Sequence, residues 1–194
     1  MDLQGRNVIY NGAIEGLSDV SINAGHFGEL KFEDVPNFGN NLILPGLIDL
    51  QIYGAEGKLF SAVPSVETLV HMESHLIKTG TTGFLVCVAT NTPEQTNLCI
   101  DAVKMHRPMA KNCLGLHLEG PFLNVKRSGA HVKEYIRKAS LDEIKSMIEF
   151  GDGVIKMMTL APETQEDAVL HYLIDQGIIV SLGHSDATFE QANR

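Results

Sequence analysis

Two residue types that bind divalent metals stand at the ends of two apolar segments of the sequence. Glu119 closes the segment CLGLHLE at 113–119, and His184 closes the segment IIVSLGH at 178–184. Both segments are typical of buried strands, and a buried carboxylate is costly unless a partner compensates its charge. If the two strands end at the same edge of a sheet, these side chains can share a small ion such as zinc. Glu119 and His184 are therefore candidate metal ligands, with a third ligand still to be found.

An ordinary structural arrangement explains the same two residues on spacing alone. Glu119 could pair with Lys126 or Arg127 in the loop that follows it, and His184 could cap the next helix. Spacing does not decide between this arrangement and a metal site, so both remain open at this point.

The other histidines give weaker signals. His117 lies two residues before Glu119 on the same strand, so both side chains point to one face, and we predict His117 as a supporting or core residue near the site. His71 and His75 stand four apart in the segment HMESH, on one face of a helix. The glutamate between them is misplaced for the H-E-x-x-H zinc pattern, so we predict a solvent-exposed helix face.

The loop segment KRSGAH at 126–131 is a candidate for substrate contact. Gly129 and Ala130 permit a close approach of the backbone to a ligand, and His131 could hydrogen-bond a sugar hydroxyl or a phosphate. The two basic residues of the segment add local positive charge to an acidic chain. A solvated basic loop is the alternative interpretation of the same residues.

Strands and helices alternate along most of the chain and would position these residues. Predicted strands lie at 41–53, 82–90, 113–119, 153–161 and 178–184, and each has a polar residue at or near its C-terminal end: Gln51, Thr90, Glu119, Thr159 and His184. Such alternation indicates βαβ units with a parallel sheet, whose carboxyl edge is where α/β proteins build their sites. We predict an α/β fold, the first five strands of a (βα)8 barrel over 45–194, preceded by a small β-sandwich portion over 1–44.

Local signals place the helices between these strands. Ser65 begins a helix that Gly80 ends, Thr92-Pro93-Glu94-Gln95 forms a capping box, and Ser140 to Glu143 caps the next helix. A further helix is predicted from Pro162 to Asp175.

Composition limits the classes of partner. The formal charge of −9 argues against nucleic acid and anionic membranes, and no apolar run approaches the roughly 20 residues of a membrane span. The first residues lack a basic and apolar leader, and the three cysteines show no C-x-x-C spacing. We therefore expect a cytoplasmic protein with reduced thiols.

Several motifs occur together in a fixed order. They are LPGLIDLQIYG at 44–54, HLEGPFLN at 117–124, SGAH at 128–131, TLAPE at 159–163 and GHSDAT at 183–188. This set resembles the N-terminal half of the N-acetylglucosamine-6-phosphate deacetylase family, in the amidohydrolase superfamily. The resemblance implies a metal-dependent hydrolase with a barrel domain, which releases glucosamine 6-phosphate and acetate.

The resemblance also implies roles for individual residues. Glu119 and His184 correspond to metal ligands of the family, and Ala130 and His131 to the loop that contacts the sugar phosphate. One divalent ion is implied, zinc first, with iron, manganese or cobalt as alternatives. A second metal-binding histidine and the acid/base aspartate would lie beyond Arg194, so we expect the chain alone to be inactive. The full-length protein would be a homodimer acting on a small-molecule amino-sugar phosphate.

One part of the motif set departs from the superfamily pattern. The first barrel strand ordinarily ends in H-x-H, which supplies two metal ligands, whereas this chain has Gln51 and Tyr53. Gln51 matches family members that hold a single metal, and Tyr53 replaces an expected Asn or His. We therefore expect one metal, with Gln51 near the site. Alternative functions are another amidohydrolase-type amide hydrolase, or a non-catalytic half-barrel.

Overall fold

The chain divides into two compact units, residues 1–46 and 47–194. The computed structural model describes residues 6–10, 13–23, 26–32, 42–43 and 45–193. The assignment of residues 1–44 as a β-sandwich portion remains a prediction.

The N-terminal unit contains a four-stranded sheet. Its strands are β1 (Arg6–Tyr10), β2 (Ala13–Asn23), β3 (His26–Phe32) and β4 (Leu42–Ile43), in the order β3-β2-β1-β4. The β1–β2 and β2–β3 pairs are antiparallel, whereas β4 runs parallel to β1.

The prediction of one interrupted strand over 41–53 is wrong. The segment forms two strands in different sheets, β4 and then β5 (Leu47–Ile52). Pro45 and Gly46 separate them, and a proline cannot donate a backbone hydrogen bond to either ladder.

The second unit is a curled half-barrel of five parallel strands. After β5 and a small hairpin of β6 (Gly54–Ala55) and β7 (Lys58–Leu59) come β8 (Thr81–Ala89), β9 (Cys113–Glu119), β10 (Ile155–Leu160) and β11 (Ile179–Leu182). The large sheet has the order β11-β10-β9-β8-β5, so its neighbours follow chain order as they do in a barrel. The predicted fold class is confirmed.

Helices follow the strands of the half-barrel. They are α1 (Val66–Leu76), α2 (Pro93–His106), α3 (Leu141–Gly151), α4 (Asp167–Asp175) and α5 (Phe189–Ala192). The segment Pro162–Thr164 forms a 3-10 turn, so α4 begins later than the predicted residue 162. No helix in the described part of the chain is both long and apolar enough to cross a membrane.

The predicted helix caps mostly form. The side chains of Ser65, Thr92 and Ser140 accept the backbone N–H groups three residues ahead of them, at 3.1–3.2 Å. The capping box at Thr92 is only half made, because the Gln95 amide donates to the Ser61 carbonyl (2.7 Å) instead. Gly80 ends the first helical segment with a φ of 91°.

The face with His71 and His75 is less solvated than predicted. Both side chains are about one-third exposed, and both contact Glu56 in the turn between β6 and β7. The His71 Nε2 to Glu56 Oε2 distance is 2.9 Å, and the His75 Nδ1 to Glu56 Oε1 distance is 3.1 Å.

The core of the half-barrel lies between the sheet and its helices. Nearly all of β8 is buried, as expected for a parallel strand covered on both faces. The largest fully buried side chains are Phe60, Phe84, Phe122, Leu69, Met72, Ile100, Leu116, Leu118, Ile144, Met158 and Leu160.

Candidate metal centre

Glu119 is the buried centre of a polar cluster at the carboxyl edge of the sheet. It is the last residue of β9, where it pairs in register with Ala89 of β8 and Thr159 of β10. Only 6% of the residue is exposed. Among the described residues, the side chains of Gln51, Tyr53, His131 and His184 contact its carboxylate.

One group of side chains among the described residues has the geometry to hold a metal ion. Glu119, His131 and His184 each offer a ligand atom, and these atoms lie within 4.8 Å of one another. His184 Nε2 is 3.2 Å from Glu119 Oε1, and His131 Nε2 is 3.5 Å from Glu119 Oε2. The structure thus brings together three of the residues that the sequence singles out.

The hydrogen bond at the other nitrogen of His184 prepares the ring for metal binding. His184 Nδ1 lies 2.9 Å from the backbone carbonyl of Arg127, which can only accept a hydrogen bond. In the neutral ring the proton is therefore on Nδ1, and the Nε2 lone pair faces Glu119. A lone pair and a carboxylate oxygen at 3.2 Å repel unless a proton or a cation lies between them. The imidazole nitrogen and the carboxylate oxygen together suit a small divalent cation.

The loop around Gly129 packs closely against the same ring. His184 has a positive φ of 49°, and Gly129 a φ of 56°. A Cβ added at Gly129 would lie 3.4 Å from His184 Cε1, so the loop backbone approaches the imidazole edge.

The alternative ion pair of Glu119 with Lys126 or Arg127 does not form. Arg127 Nη2 is 2.6 Å from Asp186 Oδ1, and Lys126 Nζ is 3.6 Å from Asp186 Oδ2. The helix after β11 is capped by Thr188 and not by His184. Both halves of that structural alternative are wrong.

Glu163 organises the loop that follows His184. Its carboxylate accepts hydrogen bonds from Asn124 Nδ2 (2.8 Å), Ser185 Oγ (2.7 Å) and the Asp186 backbone N–H (2.7 Å). Burial alone would raise the pKa of this carboxyl, but these hydrogen bonds lower the pKa below its usual value.

His131 has the opposite hydrogen-bonding arrangement from His184. The Thr90 backbone N–H donates to His131 Nδ1 at 3.3 Å, and Thr90 Oγ1 lies 2.8 Å from the same nitrogen. In the neutral ring the proton is then on Nε2, which faces Glu119 as a donor. Burial lowers the pKa of His131. The nearby Glu119 carboxylate raises this pKa and His184 lowers it further, so the pKa stays below its usual value. A neutral N–H donor suits contact with a substrate oxygen, and exposed Ala130 precedes it.

His117 lies inside the sheet and supports the site. It is fully buried, with Nδ1 2.8 Å from the Leu50 carbonyl and Nε2 2.7 Å from Thr159 Oγ1. The ladder between β5 and β8 shifts register between Asp49 and Ile52, in the segment that contains Leu50. Burial lowers the pKa of His117. Because both nitrogens have partners, the ring connects β5 to β10.

Comparisons with known proteins begin with sequence relatives. No protein-family model matches the chain. The N-acetylglucosamine-6-phosphate deacetylase of Haemophilus influenzae is 40% identical over 155 residues, which cover 79% of this chain and 40% of that protein. The Bacillus subtilis enzyme of the same name is 38% identical over 157 residues (76% and 39%). An N-acetylgalactosamine-6-phosphate deacetylase from Shewanella is 35% identical over 150 residues (76% and 38%).

Solved structures agree with these relatives. The N-acetylglucosamine-6-phosphate deacetylase of Pasteurella multocida matches 97% of this chain with a TM-score of 0.79 and 31% identity. The Thermotoga maritima enzyme matches 100% with a TM-score of 0.86 and 26% identity. A Mycobacterium smegmatis variant in complex with N-acetylglucosamine 6-phosphate matches 98% with a TM-score of 0.83 at 24% identity, which speaks for the fold alone.

The chain is a relative of the N-acetylglucosamine-6-phosphate deacetylases. The resemblance seen in the sequence motifs is confirmed, and these homologues are amide-bond hydrolases. The chain spans about two-fifths of the length of the curated relatives and about half of the solved structures.

Gln51 and Tyr53 both contact Glu119. They stand at the two positions where, from the sequence motifs, we expected the H-x-H pattern to be replaced in this relative of the deacetylases. Gln51 Nε2 is 2.9 Å from Glu119 Oε1, and the Tyr53 hydroxyl is 2.5 Å from Glu119 Oε2. Burial and the hydrogen bond to Glu119 raise the pKa of Tyr53, so the phenol stays protonated. Sequence reasoning missed the contact of Tyr53, although its two-residue spacing from Gln51 places both on one strand face.

Proposed function

We propose that this chain carries two of the metal-binding residues of an N-acetylglucosamine-6-phosphate deacetylase. The reaction would hydrolyse the acetamido bond of N-acetylglucosamine 6-phosphate to glucosamine 6-phosphate and acetate. The observation that carries the proposal is the His184 Nε2 lone pair, directed at the buried Glu119 carboxylate by the Arg127 carbonyl, in a chain whose relatives are these deacetylases.

Glu119 and His184 would hold one divalent ion in this proposal. Zinc suits a carboxylate and an imidazole, and iron, manganese and cobalt accept the same ligands. Such an ion supplies Lewis acidity, which lowers the pKa of water and polarises a carbonyl. The proposal takes a third metal ligand and the acid/base aspartate from residues beyond Arg194, so it expects the 194-residue chain alone to be inactive.

His131 and Ala130 would contact the substrate. Because Thr90 occupies Nδ1 of His131, the Nε2–H is available to donate to a substrate oxygen beside Glu119. The Haemophilus influenzae and Bacillus subtilis relatives are named for N-acetylglucosamine 6-phosphate, which supports an amino-sugar phosphate as the ligand here. The longer protein is proposed to act as a homodimer.

A deacetylation assay with added zinc tests this function. We would compare the 194-residue chain with a version extended beyond Arg194, and measure release of acetate from N-acetylglucosamine 6-phosphate. We expect the extended version to release acetate and its Glu119→Gln variant to release none. An extended, zinc-loaded and folded protein that releases no acetate from this substrate would contradict the proposal.

The galactose epimer is a second candidate substrate. The Shewanella relative acts, by its name, on N-acetylgalactosamine 6-phosphate, which differs only at C4. Parallel assays with both epimers separate the two: we expect a higher kcat/KM for the glucose form, and a reversed preference would transfer the proposal to the galactose form.

A further inference from the structure

Three groups form a closed hydrogen-bonded network on the β5 side of Glu119. Gln51 Nε2 contacts the Tyr53 hydroxyl at 2.7 Å and Glu119 Oε1 at 2.9 Å, and the Tyr53 hydroxyl contacts Glu119 Oε2 at 2.5 Å. Each carboxylate oxygen therefore has one partner from the β5 end and one histidine on its other side.

The positions of the protons in this network are determined by its donors. The amide nitrogen of Gln51 only donates, and it has two hydrogens, one for Tyr53 and one for Glu119. Since the Tyr53 oxygen accepts one of them, its own proton points to Glu119 Oε2. The carboxylate then receives a donor on each oxygen from the same side, which fixes both its position and its plane.

We infer that Tyr53 is a positioning residue, which, together with Gln51, holds Glu119 Oε1 toward His184 Nε2 and so sets the geometry of the metal site. Partners that orient a ligating carboxylate contribute to metal affinity in this way. The inference rests on the proposed metal role of Glu119.

The consequence is specific to the hydroxyl group of Tyr53. Without it, Glu119 Oε2 loses its shortest contact among the described residues, and the carboxylate can rotate about its last side-chain bond. The ring of a phenylalanine would still fill the same space, so packing at this strand end would be kept.

The test is metal binding by Tyr53→Phe in the version extended beyond Arg194, with Tyr135→Phe as the matched control. The Tyr135 side chain is partly exposed, and its hydroxyl has no partner among the described residues. We would titrate zinc calorimetrically and record the visible spectrum of the cobalt-loaded protein, which reports ligand geometry. Tyr53→Phe should bind zinc about ten-fold or more weakly and shift the cobalt bands; Tyr135→Phe should do neither.

Thermal unfolding of the metal-free variants separates positioning from folding. A positioning role leaves the metal-free Tm of Tyr53→Phe close to that of the unaltered chain. If Tyr53→Phe does not fold, Gln51→Leu is the second variant. It removes the amide that donates to the Tyr53 hydroxyl and to Glu119 Oε1, so it should also weaken zinc binding and shift the cobalt bands.

Two failures are distinguishable. If the unaltered extended protein binds metal through Glu119 and Tyr53→Phe matches it in affinity and cobalt spectrum, the positioning role of Tyr53 is wrong while the proposed function stands. If the unaltered extended protein binds no metal, both the positioning role and the proposed function are overturned.

Discussion

At the scale of single residues, hydrogen bonds at the distant ring nitrogens give the histidines different roles. A backbone carbonyl makes His184 Nδ1 a donor and leaves Nε2 as a ligand, whereas a backbone N–H makes His131 Nδ1 an acceptor. Sequence spacing predicted Glu119 and His184 but could not predict these protonation states. They depend on Arg127 and Thr90, which are brought into place only by the fold.

His117 provides a prediction at this scale. His117→Leu leaves the Leu50 carbonyl and the Thr159 hydroxyl without their buried partner, so the free energy of unfolding should fall by about 1–3 kcal/mol. Zinc binding by the folded variant should be retained, because the ring nitrogens contact Leu50 and Thr159 and not Glu119. Urea unfolding and zinc titration measure the two effects, and a fully stable variant that loses zinc would contradict this role.

At the scale of elements, strand alternation and helix caps were predictable because they depend on local residue types. Thr92 and Ser140 cap as the sequence indicates. The split of the segment 41–53 between two sheets, and the contact of Gln95 with Ser61, depend on tertiary pairing that no local pattern encodes. The same limit hid the contact between Tyr53 and Glu119.

Glu73 of α1 provides a pH-dependent prediction. Its buried carboxylate accepts the backbone N–H groups of Lys111, Asn112 and Cys113 (2.7–3.0 Å), and so holds α1 to the start of β9. Burial alone would raise the pKa of Glu73, but these hydrogen bonds lower the pKa below its usual 4.5. The carboxylate therefore stabilises the fold above its unfolded pKa, and this contribution is lost as the pH falls through the lowered folded pKa.

At pH 7 the free energy of unfolding of Glu73→Gln should accordingly be about 1–3 kcal/mol lower than that of the unaltered chain. The difference from the unaltered chain should shrink as the pH falls below 4.5, because the unaltered carboxyl then also becomes neutral. Urea unfolding across this range measures the difference, and a gap that stays constant down to low pH would show that the charge of Glu73 does not stabilise the fold.

At the scale of the whole molecule, the sheet of the half-barrel has two edge strands that pair with no further strand among the described residues. β5 and β11 end the sheet, and they carry the exposed side chains of Leu47, Ile48, Leu50, Ile179 and Leu182. Unpaired edges with apolar side chains favour association between chains. The order of the strands was predictable from their alternation with helices. The exposed edges were predictable because five strands are too few to close an eight-stranded barrel.

Self-association of the 194-residue chain is the corresponding prediction. Sedimentation velocity should show dimers or larger species, because association covers the exposed edges. Ile48→Lys combined with Leu182→Lys should shift the distribution toward monomer, since both positions are more than half exposed and a charge there opposes pairing. A cooperatively unfolding monomer at high concentration would contradict the prediction.

The central claim is that Glu119 binds a divalent metal together with His184. The most direct measurement is the zinc content of the version extended beyond Arg194 after equilibrium dialysis against zinc, compared with its Glu119→Ala variant. Glu134→Ala, at an exposed glutamate in the loop after His131, serves as the matched control. We predict a single bound zinc in the unaltered extended protein and in its Glu134→Ala variant, and loss of this zinc in Glu119→Ala; equal zinc content in all three would contradict the claim.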